Sequence, residues 1–123
     1  MPSREEVANF IRTTFRSVWA LELLCFVRQN RDRTLSHAEV VAELRGSDLV
    51  VTQSVAGLAA AGLIVTEADG SARYAPASAD LDALVEQAEA LYASSPDAVR
   101  RTIVAAATPG LTAFADAFRL RKD

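Results

Sequence analysis

Residues 35–76 read LSHAEVVAELRG (35–46), SDLVVTQSVAGLAAAGL (47–63) and IVTEADGSARYAP (64–76). Ser36 and Glu39 form an S-x-x-E capping pattern, which opens a short helix burying Val40, Val41 and Leu44. Gly46 stands where a left-handed residue would stop that helix. Ser47 or Asp48 caps a second helix whose inward stripe is Val51, Val55, Leu58 and Gly62, at helical spacing. Leu63 to Glu67 and Ala72 to Ala75 then read as two strands around Ala68-Asp69-Gly70-Ser71, because Asp-Gly tolerates positive φ. Pro76 ends the second strand.

The flanks are helical. Ser3 can cap a first helix whose positive end suits Glu5 and Glu6. Val7, Phe10, Ile11, Phe15, Val18 and Trp19 continue it as one long element into Val18–Val27, which is apolar on nearly every side. A helix of that kind must be covered on two faces, one by the central module and the other by the C-terminal helices or a second subunit. Gln29 to Arg33 reads as a polar exit loop with Arg28, Arg31 and Arg33 near it. After Ser78 the apolar positions Leu81, Leu84, Val85, Ala88, Leu91 and Tyr92 return to helical spacing. Ser95-Pro96-Asp97 and Thr108-Pro109 then start two further helices, the last carrying Leu111, Phe114, Ala115 and Phe118.

Composition narrows the function classes. The chain has 123 residues, enough for one domain with one core, and half of them are hydrophobic, which argues against disorder. The formal net charge is −3, so any nucleic-acid affinity must come from a local field. The single cysteine, Cys25, excludes an internal disulfide and suits a reducing compartment. The opening residues lack a signal-peptide pattern, and Val18–Val27 is too short to span a bilayer, so a cytoplasmic chain with no membrane partner is expected.

His37 is the only histidine and has no second histidine to share a metal with. Cys25 and the row Phe10, Phe15, Trp19 read as core. Asp80, Asp82, Glu86 and Glu89 read as charges at a helix start and along its wet side. No P-loop, G-x-G-x-x-G or G-x-S-x-G pattern occurs, and neither an enzyme nor a cofactor is expected.

Residues 35–76 resemble the winged helix-turn-helix core of bacterial one-component regulators of the MarR and ArsR kind. The resemblance is carried by Ser36–Val40, by Val55-x-x-Leu58-x-x-x-Gly62-Leu63-Ile64, and by the Asp69-Gly70 hairpin ending in Tyr74. It implies a mainly α single domain over residues 1–123. The wing is a small β-hairpin, the N-terminal helix is long, and residues 1–34 and 79–123 pack or dimerise. It also implies a homodimer on double-stranded DNA, with the second helix in the major groove and half-sites one or two turns apart.

The DNA contacts implied are Arg45, Ser47, Thr52, Gln53, Ser54 and Arg73, with Val50, Gln53, Ser54 and Gly57 facing outward and Thr52 at the margin. Gln can read adenine, and Ser or Thr can bond bases or phosphate. One departure stands out: the second helix carries no Lys or Arg, whereas the MarR group usually places cations there. The alternative is therefore a module of the same fold whose alanine-rich second helix (Ala56, Ala59, Ala60, Ala61) receives a protein partner instead of DNA.

Overall fold

Serine caps set most of the helix starts. A computed structural model describes residues 2–107 and places six helices and two strands among them. They run α1 (Arg4–Thr14), α2 (Val18–Gln29), α3 (His37–Leu44), α4 (Asp48–Ala60), β1 (Ile64–Thr66), β2 (Ala72–Tyr74), α5 (Ala79–Ser94) and α6 (Pro96–Ala107). Ser3, Ser17, Ser36, Ser47 and Ser78 each accept a hydrogen bond from the backbone N–H three residues on. That bond satisfies one of the amides a helix start leaves without a partner. At α3 the Glu39 carboxylate also accepts from the Ser36 N–H, so the capping box is complete. The helix expected from Thr108 lies outside the described residues.

The long N-terminal helix is two helices. Phe15 is extended (φ −98°, ψ 120°) and Ser17 caps a new start at Val18. Both Phe10 and Phe15 are thereby buried, with their rings edge-to-face at 5.8 Å. A straight helix would instead carry Phe15 along the same stripe into Val18 and Trp19. Helix α2 is then covered within the chain, by α3, α4 and β2 on one side and by α6 on another. Leu23, Leu24 and Val27 are fully buried between these elements.

The hairpin pairs Ile64 with Tyr74, Val65 with Arg73 and Thr66 with Ala72, antiparallel. Gly70 takes φ +87° at its tip, as the Asp-Gly pattern requires. Asp69 accepts from both the backbone N–H and the hydroxyl of Ser71, at 3.0 and 2.6 Å. A two-way backbone bridge between Leu35 and Ala72, both bonds 2.8 Å, ties the segment before α3 to the hairpin.

The turn between α3 and α4 departs from the sequence reading. Arg45, and not Gly46, is left-handed, at φ 54°. Gly46 is instead packed against Trp19 and Val51, where a Cβ would sit 3.7–3.9 Å from both side chains. A Cβ at Gly46 would make only ordinary van der Waals contact, and the positive φ falls on the exposed arginine beside it. No described helix is long and apolar enough to cross a membrane.

Candidate functional site

Helix α4 packs chiefly against α2, and that contact sets its rotation. Val51, Ser54 and Leu58 are buried, while Leu49, Thr52, Gln53, Ala56, Gly57 and Ala60 are exposed. Ser54, expected outward, is instead buried, only 9% exposed. The sequence reading set the outer face about a quarter-turn wrong. Thr52, placed at its margin, belongs to it, together with Leu49 and Ala56.

Gln53 is exposed as expected. Ser47 is exposed, and its oxygen accepts from the Val50 N–H as the cap, which leaves the hydroxyl proton and one lone pair for an outside partner. Arg45 and Arg73 are both exposed and make no ion pair among the described residues. Arg73 projects from β2 between buried Ala72 and Tyr74, opposite exposed Val65.

The arginines before α3 do not form a free cluster. Arg28 is held by Glu89 of α5 at 2.8 Å, with side chains 13% and 27% exposed, so Glu89 is not on a wet face as its spacing suggested. Arg33 pairs with Glu39 at 2.8 Å, and these bonds hold the Glu39 carboxyl below its usual range. Arg31 alone of the three is exposed without an ion pair among the described residues.

Exposed carboxylates stand on the same elements, α4 and the hairpin. Asp48, at the start of α4, accepts or shares a hydrogen bond with His37 Nε2 at 3.0 Å and is otherwise exposed. Glu67 and Asp69 are exposed on the hairpin, and the bonds from Ser71 hold Asp69 below the ordinary carboxylate range. A phosphate backbone approaching here meets both signs of charge.

Two further polar contacts join the C-terminal helices to this frame. The Tyr74 hydroxyl donates to Asp82 at 2.6 Å, and burial with that bond pushes its pKa up. The Tyr92 hydroxyl donates to Glu22 at 2.9 Å and accepts from Arg100 Nη2 at 3.3 Å, and the Arg100 guanidinium stands over the ring. Asp82, read as a solvated charge, is thus a hydrogen-bond acceptor for the hairpin.

Cys25 is half-buried on α2, and burial first, then the neighbouring Glu89, pushes its thiol up to about 12 from 9.0. Because the thiolate is the reactive form, we expect alkylation by iodoacetamide at pH 8 to run about two to three orders of magnitude slower than in urea. Equal rates in buffer and urea would show an accessible, ionisable thiol instead.

Trp19, grouped with the core by its spacing, is 39% exposed beside α4. The sequence reading also missed Arg16, which lies in the break between α1 and α2. A signal was present in the Thr13-Thr14 pair followed by Ser17, a helix-weakening pair before a good cap. No family model, curated protein or solved structure matches this chain.

Proposed function

We propose that the chain is a sequence-reading, DNA-binding transcription regulator of the winged helix-turn-helix kind, acting as a homodimer. The carrying observation is that α4 stands on the outside with Thr52 and Gln53 exposed, and that Arg45 and Arg73 are exposed with no ion pair among the described residues. The order α2, α3, α4, hairpin, with Leu35 bridged to Ala72, supports the winged-helix reading. In this reading α4 enters the major groove, Gln53 reads a base edge, and the arginines and the α4 N-terminus engage phosphate. Helices outside residues 35–76 join two copies, and the two-fold axis asks for pseudo-palindromic half-sites.

The test is anisotropy titration of DNA from upstream of the protein's own gene. Arg45→Gln with Arg73→Gln is expected to lower the slope of log affinity against log salt by about four, one for each phosphate that the two copies of the dimer no longer neutralise. Gln53→Ala is expected to relax preference for the specific site while leaving that slope alone. Absence of sequence-preferring, salt-sensitive binding by the unaltered chain would overturn the proposal.

A specific observation favours one second reading, a protein partner on the same face. The exposed face of α4 carries no cation, its one charged residue is Asp48, and Glu67 and Asp69 are exposed on the hairpin. Under that reading the arginine substitutions leave partner binding intact, while Ala56→Glu on the exposed face of α4 abolishes it.

A further inference from the structure

His37, the only histidine of the chain, joins three parts of the fold. It opens α3, directly after the Ser36 cap. Its Nε2 lies 3.0 Å from Oδ1 of Asp48, the residue that opens α4. The hairpin tip is close as well, since a Cβ built on Gly70 would lie 3.7 Å from the His37 Cβ. An ionised carboxylate can only accept, so the neutral imidazole donates through Nε2–H and keeps a lone pair on Nδ1. The side chain is 34% exposed, and Nδ1 has no hydrogen bond among the described residues. Of the charged groups on the elements around it, Asp48 alone is bonded to the ring. The hairpin carries Glu67 and Asp69 and, on β2, Arg73. On α3 itself Glu39 is paired with Arg33, while Glu43 and the C-cap Arg45 stand at the far end. From α2, which also packs against α3, Arg28 is turned to Glu89 and Glu22 to Tyr92.

We propose that His37 is a pH switch on DNA binding: a proton on its ring cancels the Asp48 carboxylate at the start of α4, so affinity for DNA rises as pH falls. The inference rests on the DNA reading above and adds its regulation. Imidazole is the side chain whose ordinary charge change falls between pH 5 and 8. With the ring neutral, α4 opens on a negative charge that is 85% exposed. In a helix-turn-helix the first residues of the second helix approach the base edges, where a carboxylate meets the field of the phosphates. The same carboxylate suits the positive end of the α4 dipole, so it favours the helix and opposes the DNA. A proton taken up by His37 leaves the pair without net charge. It also turns Nδ1 from a lone pair into an N–H donor, which a phosphate oxygen can accept.

The experiment is the same anisotropy titration with the full chain, repeated across pH at constant ionic strength. Affinity is expected to be about tenfold higher at about pH 5.5 than at about pH 8, roughly threefold for each copy in the dimer. His37→Gln keeps a donor for Asp48 but cannot take up the charge. It is expected to bind at both pH values as the unaltered chain binds at the higher one. Asp48→Asn, with Ser47 still capping α4, removes the carboxylate outright and is expected to bind about tenfold tighter at the higher pH. Unchanged circular dichroism of both variants is the control for folding. If the unaltered chain binds equally at both pH values, or if the pH dependence survives His37→Gln, the switch is overturned and the DNA reading stands. Asp48→Asn without effect at the higher pH overturns the switch as well. Absence of DNA binding at every pH removes the DNA reading and the switch together.

Discussion

Phe15→Ala is expected to lower the unfolding free energy by about 3–5 kcal/mol, the range for removing a buried aromatic ring. Against a total of about 5–15 kcal/mol for a domain, that is a large fraction. The residue is 2% exposed, its ring meets Phe10 at 85°, and its extended backbone is the link on which α1 ends before α2 begins. Alanine would leave a void between those helices and take away the ring that holds the elbow closed. Urea denaturation followed by circular dichroism measures the loss as a fall in midpoint at unchanged slope. Trp19→Ala supplies the comparison. Its ring is larger but 39% exposed, so less area is returned to water, and a cost below about 2 kcal/mol is expected. If the tryptophan change costs as much as the phenylalanine change, the division between a packed Phe15 and a half-open Trp19 is wrong.

What the sequence made visible is mostly what is local. The Ser36–Glu39 box, the serine caps and the Asp69-Gly70 turn need only residues within three or four positions of one another, so residue type and spacing suffice. The rotation of α4 was not local. Val50, Val51, Val55, Leu58 and its alanines place apolar groups around most of the helix, so two neighbouring faces are nearly equivalent as inward stripes. Contact with α2 selects between them and takes Ser54 inside. The left-handed Arg45 runs against residue type, because the adjoining Gly46 takes a positive φ more readily and type alone points to the glycine. Arg28 and Glu89 are 61 positions apart, and nothing in the spacing of either helix announces their meeting. The candidate interface therefore keeps Arg45, Ser47, Thr52, Gln53 and Arg73 as exposed residues, while Ser54 is buried.

Glu89→Ala is expected to destabilise the fold by about 2–3 kcal/mol, near or just below the range for breaking a buried pair from one side, because both groups keep some contact with water. The pair is end-on: Arg28 Nη1 meets Glu89 Oε1 at 2.8 Å. Arg28 Nε and Glu89 Oε2 are buried without a hydrogen-bond partner among the described residues. Removing the carboxylate strands a guanidinium that is 13% exposed and already short of one partner. Most of the cost is that stranded charge, so replacing both residues, Arg28→Leu with Glu89→Leu, is expected to recover most of the stability that the single variant forfeits. A second readout separates electrostatics from packing. Glu89 contributes, after burial, to holding the Cys25 thiol up at about 12, while Arg28 pulls it down. With the carboxylate gone and the guanidinium left, the thiol pKa moves toward its ordinary value and alkylation at pH 8 accelerates in the folded protein. Glu89→Gln keeps the shape and removes the charge, so it should speed alkylation while costing less stability than alanine. If alanine and glutamine both leave the alkylation rate where it was, Glu89 is not the charge that Cys25 feels, and burial alone accounts for its inertness.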